Sequence, residues 1–72
     1  MRANDVRVGQ FFKTNERGLS HGIDRDFLFC VLKIYAVHHD RGNVTAKYWD
    51  SREGGKIVER GTFTPKFYEL VS

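Results

Sequence analysis

The chain has 72 residues, of which 40% are hydrophobic, 29% charged and 14% aromatic, which suits one small domain and excludes a disordered polar chain. A domain of this size buries only about 60% of the surface that its unfolded chain exposes. Its single cysteine excludes a disulfide within the chain, and no apolar run approaches the roughly 20 residues of a membrane-spanning helix. We therefore expect one small domain over residues 1–72, located in the reducing cytoplasm, with no membrane partner and no cofactor.

The net charge is positive but diffuse. Twelve Lys and Arg against nine Asp and Glu leave +3 at neutral pH. Residues 1–26 contain five basic and four acidic side chains, and residues 27–72 contain seven and five. A basic domain is compatible with nucleic-acid binding, but charges spread this evenly are also typical of an ordinary solvated surface. The charge therefore matters for function only if the fold gathers the basic residues.

The N-terminal third predicts one strand and one long loop. Residues 6–13 are rich in β-branched and aromatic side chains, and Gly9 indicates a bulge or a bend. Residues 14–26 are polar and contain Gly18 and Gly22, which indicates a loop. Loops of this length often carry function, and the alternative is a surface excursion that only closes one end of a barrel.

Residues 27–38 form the longest apolar stretch and alternate with a period of two, as a half-buried strand does. Their β-branched and aromatic content argues against a helix. One face is uniformly small or apolar, and we expect it to point into the core, with Cys30 packing as a small hydrophobe. This expected core face consists of Leu28, Cys30, Leu32, Ile34 and Ala36.

The next segments predict a meander of strands. Residues 39–43 suit a hairpin loop, because Gly42 can adopt a positive φ. Strands are expected at residues 44–49 and 56–60, with a glycine-containing turn at 50–55 between them.

The chain ends with a predicted helical turn and a short strand. Thr64 can cap a turn over residues 64–68, Pro65 suits its first position, and residues 69–71 return as a strand. The predicted class is therefore all-β. We expect a five-stranded antiparallel sheet that is strongly bent or closed into a small barrel, because closure removes exposed sheet edges.

This order of elements resembles the SH3-like small barrel. The resemblance is carried by the opening Val6-x-Val8-Gly9-Gln10-x-Phe12, the long loop, the glycine-containing hairpins and the terminal Pro65-x-Phe67-Tyr68-Glu69-Leu70-Val71. It implies a single 3₁₀ turn before the last strand. The opening motif and tryptophan pair of the peptide-binding SH3 family are missing, so binding of proline-rich peptides is not implied. Other members of the architecture bind DNA, RNA or proteins, so the resemblance implies a binding module without choosing its ligand.

The candidate binding site is the outward face of the sheet. If the expected core face points inward, tyrosine and tryptophan side chains lie among basic ones on the opposite face, which suits base stacking and phosphate contact, or a protein interface. The alternative is that Tyr35 and Trp49 cover a second small core under the long loop. The expected binding residues are Lys33, Tyr35, Lys47, Trp49, Lys56 and Arg60, with possible loop contacts from Arg17, His21 and Arg25.

Residue patterns for catalysis or metal binding are weak. His38 and His39 are adjacent, so on a strand they point to opposite faces and do not readily chelate one ion. Asp24 and Asp26 flank an arginine in a polar segment, which is more typical of a solvated loop than of an acid–base pair. No phosphate-cradling glycine loop or nucleophile elbow is present in the sequence. We therefore expect neither an enzyme nor a metal site.

Two functions remain at this point. The first is a non-catalytic binding module that recognises nucleic acid, or a machine that handles nucleic acid, through the basic and aromatic face. The alternative is a small regulatory or inhibitor protein, of the kind found in phages or as bacterial accessory proteins, that binds a host protein complex such as transcription or defence machinery.

Overall fold

The structure is a computed structural model that describes residues 1–71. It contains five antiparallel strands in one sheet, in the order β4-β3-β2-β1-β5, which confirms the predicted all-β class with a bent, open sheet. No helix among the described residues is long and apolar enough to cross a membrane. The strands are β1 Phe11–Thr14, β2 Leu28–His38, β3 Asn43–Asp50, β4 Lys56–Phe63 and β5 Tyr68–Leu70, with one short helix, α1, at Glu16–Ser20 and 3₁₀ turns at Ala3–Asp5, Arg52–Gly54 and Pro65–Phe67.

The longest strand, β2, joins the two halves of the sheet. Its first residues pair with β1, and nearly its whole length pairs with β3. The β2–β3 register shifts twice, at Leu32 and again at Tyr35, and neither residue has a partner on β3. Such bulges bend a strand and increase its twist. They allow one strand to serve both halves of a strongly bent sheet.

Before the bulge at Leu32, the core lies on the opposite face of β2 from the one that we expected; beyond it, Ile34 packs against the core as expected. Phe29 and Val31 are fully buried, whereas Leu32 is 39% exposed. Both faces are apolar here, so alternation alone does not distinguish them, and burying the aromatic face removes more apolar surface from water. Each bulge then reverses which residues of β2 face the core. As a result, Ile34 and Val37 both pack against the core although three positions separate them.

Residues 6–26 are more structured than the sequence suggested. The predicted strand begins only at Phe11. Within the predicted loop, α1 starts after Asn15, whose side-chain Oδ1 accepts a hydrogen bond from the Gly18 amide at 2.9 Å. A Cβ at Gly18 would collide with the Phe67 carbonyl oxygen, so α1 lies directly against the last 3₁₀ turn. The asparagine cap was a signal for this helix that the glycine pattern obscured.

The C-terminal half largely follows the prediction. The β2–β3 hairpin turns at Gly42, which has φ +67°. The strand β4 continues past Gly61, where a Cβ would lie 2.9 Å from the Tyr48 ring. The 3₁₀ turn has Pro65 at its start, as expected, but the Thr64 side chain does not cap it. The Thr64 carbonyl instead accepts a hydrogen bond from the Phe67 amide at 3.1 Å.

Candidate binding face

The outer face of the sheet is the one turned away from the core. On β3, Val44 and Ala46 are fully buried, so the alternating residues Thr45, Lys47 and Trp49 belong to the outer face. On β2, Lys33 stands directly opposite Lys47 in the register. The outer face therefore brings together basic residues from neighbouring strands.

Four outer-face residues form what we call the basic cluster: Lys33, Tyr35, Lys47 and Arg60. The guanidinium carbon of Arg60 lies 4.4 Å from the centroid of the Tyr35 ring, and Lys33 Nζ lies 5.3 Å from it. Both distances are within the range of cation–π attraction. Because Arg60 is on β4 and Tyr35 is on β2, this contact joins two strands across the strand between them, β3.

The basic cluster is only partly neutralised. Lys47 Nζ lies 3.6 Å from Glu59 Oε2, and the Glu59 side chain is 77% exposed. None of the ion pairs formed within residues 1–71 includes Lys33 or Arg60. Two cations thus contact the Tyr35 ring, and a third, Lys47, stands opposite one of them and is paired with an exposed carboxylate, so this part of the face carries net positive charge.

Beside the basic cluster runs a line of apolar side chains that we call the apolar row: Phe11, Cys30, Trp49 and Ile57. The register places them opposite one another across β1, β2, β3 and β4. Together with Leu32 they line a groove of about 310 Å³. The rings of Phe11 and Trp49 meet edge to face, with centroids 6.3 Å apart. The row was missed in the sequence because Phe11 and Ile57 are far apart in the chain and only the register joins them.

Trp49 packs on the outer face. Its ring covers Gly55, where a Cβ would lie 3.0 Å from the indole nitrogen, and it contacts Phe11. The alternative was a second core under the long loop, with Trp49 against Phe27, Phe29 or Leu19. The two phenylalanines do not fit this role, because their rings lie on the core face. Trp49 is half-buried and Tyr35 is 37% exposed, so each presents part of its ring to solvent.

Lys56 lies apart from the basic cluster. In the register it stands opposite Asp50, whose side chain is buried, and its Nζ is 3.5 Å from Glu53 Oε2. A register shift between Ala46 and Tyr48 follows in the β3–β4 pairing. This shift reverses the alternation of faces along β4. Lys56 and Arg60 therefore lie on different faces, whereas simple alternation predicts one shared face.

The loop candidates lie at another part of the molecule. Arg17 is on α1 and lines a polar groove of about 430 Å³, in which acidic and basic residues are mixed. The His21 ring packs on Phe67, with centroids 4.5 Å apart. Arg25 is exposed. The mixed charge of this groove contrasts with the net positive charge of the basic cluster; the groove is lined by Asn15, Glu16, Arg17, Lys66 and Glu69.

Several of the other reactive side chains have structural partners or are buried. His38 Nε2 and Thr45 Oγ1 are 2.9 Å apart, and Asp24 Oδ1 accepts a hydrogen bond from the Asp26 amide at 2.9 Å. Burial raises the pKa of the Cys30 thiol, which disfavours the reactive thiolate. Across residues 1–71, no three His, Cys, Asp or Glu side chains stand close enough to hold a metal ion.

No protein-family model, no curated protein and no solved structure matches the chain.

Proposed function

We propose that this chain is a non-catalytic binding module that recognises nucleic acid, or a machine acting on nucleic acid, through the basic cluster. The observation that carries the proposal is the position of Lys33 directly opposite Lys47, with Arg60 on the same Tyr35 ring as Lys33. Like charges facing each other on a sheet destabilise it, so a closely spaced set of cations favours an external anion. A phosphate backbone supplies such anions at regular spacing.

Aromatic rings beside these cations support the same proposal. Tyr35 and Trp49 both expose part of their rings on the outer face. Stacking of a base on an aromatic side chain contributes about 1–3 kcal/mol, and it tolerates any base sequence. We therefore expect binding to single strands with little sequence preference.

We further propose that the open sheet is a variant of the SH3-like small barrel and that the protein acts in the cytoplasm. Two features support the architecture: the 3₁₀ turn Pro65–Phe67 directly precedes β5, and β5 pairs with β1. The free thiol of Cys30 is compatible with a reducing compartment. Fold alone does not choose a ligand, so the basic cluster carries the functional argument.

The test is a salt titration of binding to short fluorescent DNA and RNA strands. If phosphates dominate, the logarithm of affinity falls linearly with the logarithm of salt concentration. The variant K33Q/R60Q should reduce this slope by about 2. The control R41Q removes an exposed charge from the β2–β3 hairpin and should reduce the slope less. No binding at low salt, or binding without salt dependence, would contradict direct recognition of nucleic acid.

A second candidate function is regulation of a host protein complex, as a small inhibitor or accessory protein. The apolar row favours it, because exposed aromatic and aliphatic side chains are typical of protein interfaces. Affinity capture from a lysate separates the two functions. A stoichiometric protein partner that survives nuclease treatment favours this candidate, and loss of all partners after nuclease treatment contradicts it.

A further inference from the structure

Part of the apolar row is exposed to solvent. Of its members, Ile57 is 48% exposed and Phe11 43%, whereas Cys30 is buried, and Leu32, which adjoins the row in the groove, is 39% exposed. The three exposed residues lie on the outer face, separated from the core by the sheet itself. Single exposed apolar residues are common, whereas these three are contiguous and line one groove, which is a feature of many interaction sites.

The sheet also holds the side chains of the apolar row in fixed positions. Its members occupy one cross-strand line over four strands, so their backbones are held by the sheet and not by a flexible loop. The groove between them is lined by apolar and sulfur-containing side chains, of which Trp49 is the largest. A rigid apolar groove that contains a large aromatic ring is typical of the hot spots of protein interfaces.

The charges beside the row indicate the kind of occupant. Lys33 follows Leu32 directly, and Lys47 faces Lys33 across the strand pair. On the other side of the row Lys13 is exposed and on the same face as Phe11, but it stands directly opposite the exposed carboxylate of Glu69 on β5. The net positive border of the row is therefore the side of Lys33 and Lys47, and a partner needs carboxylates there, next to its apolar side chains.

Other occupants fit less well. A second copy of the chain would bring the same net charge of +3 and the same cationic border towards the face. Nucleic acid suits the basic cluster but offers no aliphatic side chain for the groove. Binding to a lipid surface is typical of amphipathic helices with a wide apolar face, whereas the apolar row is a single line of side chains across a sheet.

We propose that the apolar row binds an acidic amphipathic segment of a protein, whose apolar side chains enter the groove and whose carboxylates contact Lys33. This inference rests on the second candidate function and gives it a site and a partner chemistry. An amphipathic helix presents anchors at i, i+3 or i+4, and i+7, which matches a line of contacts across a sheet. Because Lys33 also belongs to the basic cluster, an acidic segment bound here would compete with an anionic ligand of that cluster.

The test uses a display library of random 16-residue peptides, selected on the whole protein. The expected result is enrichment of sequences with apolar residues at helical spacing and net negative charge. Binding of the enriched peptides should shift the emission of Trp49, which is the only tryptophan and lines the groove. Failure to enrich peptides, or enrichment of basic or purely polar ones, would overturn the proposal.

Matched variants locate the binding. Ile57→Thr keeps a β-branched residue, and we expect it to weaken the selected peptides about tenfold, the loss typical of an interface anchor. Leu70→Thr removes an equally exposed apolar side chain from β5, outside the groove, and should leave affinity within about twofold. Lys33→Glu should weaken acidic peptides selectively. Equal losses from Ile57→Thr and Leu70→Thr would overturn the assignment of the site.

Three further arms exclude other occupants. Sedimentation of the free protein at rising concentration detects self-association. Binding to short DNA detects a nucleic-acid ligand, and binding to vesicles of phosphatidylcholine with phosphatidylserine detects a lipid ligand. Dependence of any of these on Ile57 would overturn the proposal in favour of that occupant. If no peptide binds but a nuclease-resistant protein partner is captured, the second candidate function survives and this inference fails.

Discussion

Lys33 on β2 and Lys47 on β3 stand directly opposite each other on the outer face of the sheet. Glu59 lies near Lys47 but is largely exposed, so it screens the pair only weakly. Like charges at opposite positions of an antiparallel pair are destabilising, and a sheet selected only for stability would carry opposite charges there. At this pair, stability of the sheet favours opposite charges, whereas our proposed function favours two cations.

The first prediction follows from this pair. Lys33→Glu creates an opposite-charge pair with Lys47 while Arg60 keeps its closer contact with Tyr35. We expect the free energy of unfolding to stay unchanged or rise by up to about 1 kcal/mol. Binding of short DNA at low salt should become weaker at the same time. Denaturant unfolding and fluorescence anisotropy measure the two quantities, and a clear loss of stability would contradict the prediction.

Trp49 provides the second prediction. It lies on the outer face and is half-buried, whereas Phe29 is fully buried in the core. We expect Trp49→Ala to cost about 1–2 kcal/mol of unfolding free energy and to abolish most binding at the apolar row. Phe29→Ala should cost about 3–5 kcal/mol, as core truncations of aromatic residues do. If the two variants lose equal stability in urea unfolding, Trp49 acts as a core residue.

The third prediction concerns acid. The buried Asp50 carboxylate accepts a hydrogen bond from Arg52 Nη2 at 2.8 Å and from the Arg52 amide at 2.9 Å. The hydrogen bond from the Arg52 side chain lowers the pKa of Asp50, and it outweighs burial, which acts in the opposite direction. Arg52 itself packs on the Phe27 ring, 4.4 Å from its centroid, so the pair is anchored to the core.

Because the folded pKa of Asp50 lies below its unfolded value, the carboxylate stabilises the fold fully above about pH 4. This stabilisation is lost as the pH falls through the folded pKa. We expect Asp50→Asn to cost about 1–3 kcal/mol at pH 7, with the difference from the native protein shrinking below pH 4. Thermal unfolding between pH 2 and 7 measures this. The exposed Asp40→Asn is the control, and an equal pH profile for both variants would contradict the role of Arg52.

The fourth prediction tests the contact between α1 and the last 3₁₀ turn. A Cβ at Gly18 would collide with the Phe67 carbonyl oxygen and lie 2.7 Å from Thr14 Cγ2. We expect Gly18→Ala to destabilise the domain by about 1–3 kcal/mol through overpacking, although alanine favours helix. Ser20→Ala, at an exposed position of the same helix, should be neutral or slightly stabilising. A stabilising Gly18→Ala would show that the two elements are not in contact.

Turn chemistry made most of the strands predictable. Gly42 marks the β2–β3 hairpin, and Pro65 marks the 3₁₀ turn before β5, so both elements follow from local conformational preference. The segment before Phe11 was assigned to the wrong element because Val6 is buried without being in a strand. Helix α1 was missed because its glycine, Gly18, serves close packing and not a turn.

The candidate site was predictable only in part. In the structure Lys47 and Trp49 share one face of β3, as the period-two alternation of the sequence predicts. The same reasoning joins Lys56 to Arg60, which the structure separates. The apolar row had no local signal, because its members come from four strands.

The sequence by itself determined the all-β class, the meander of β2 to β4 and the position of the last turn, because these depend on alternation and on a few glycine and proline residues. Only the tertiary structure decided which face of β2 is buried. Over its first five residues, Leu28 to Leu32, both faces are apolar, so the choice depends on how Phe29 and Val31 pack against the other strands. The bulges at Leu32 and Tyr35 then decided which basic and aromatic side chains meet, because each added residue reverses the parity of the strand.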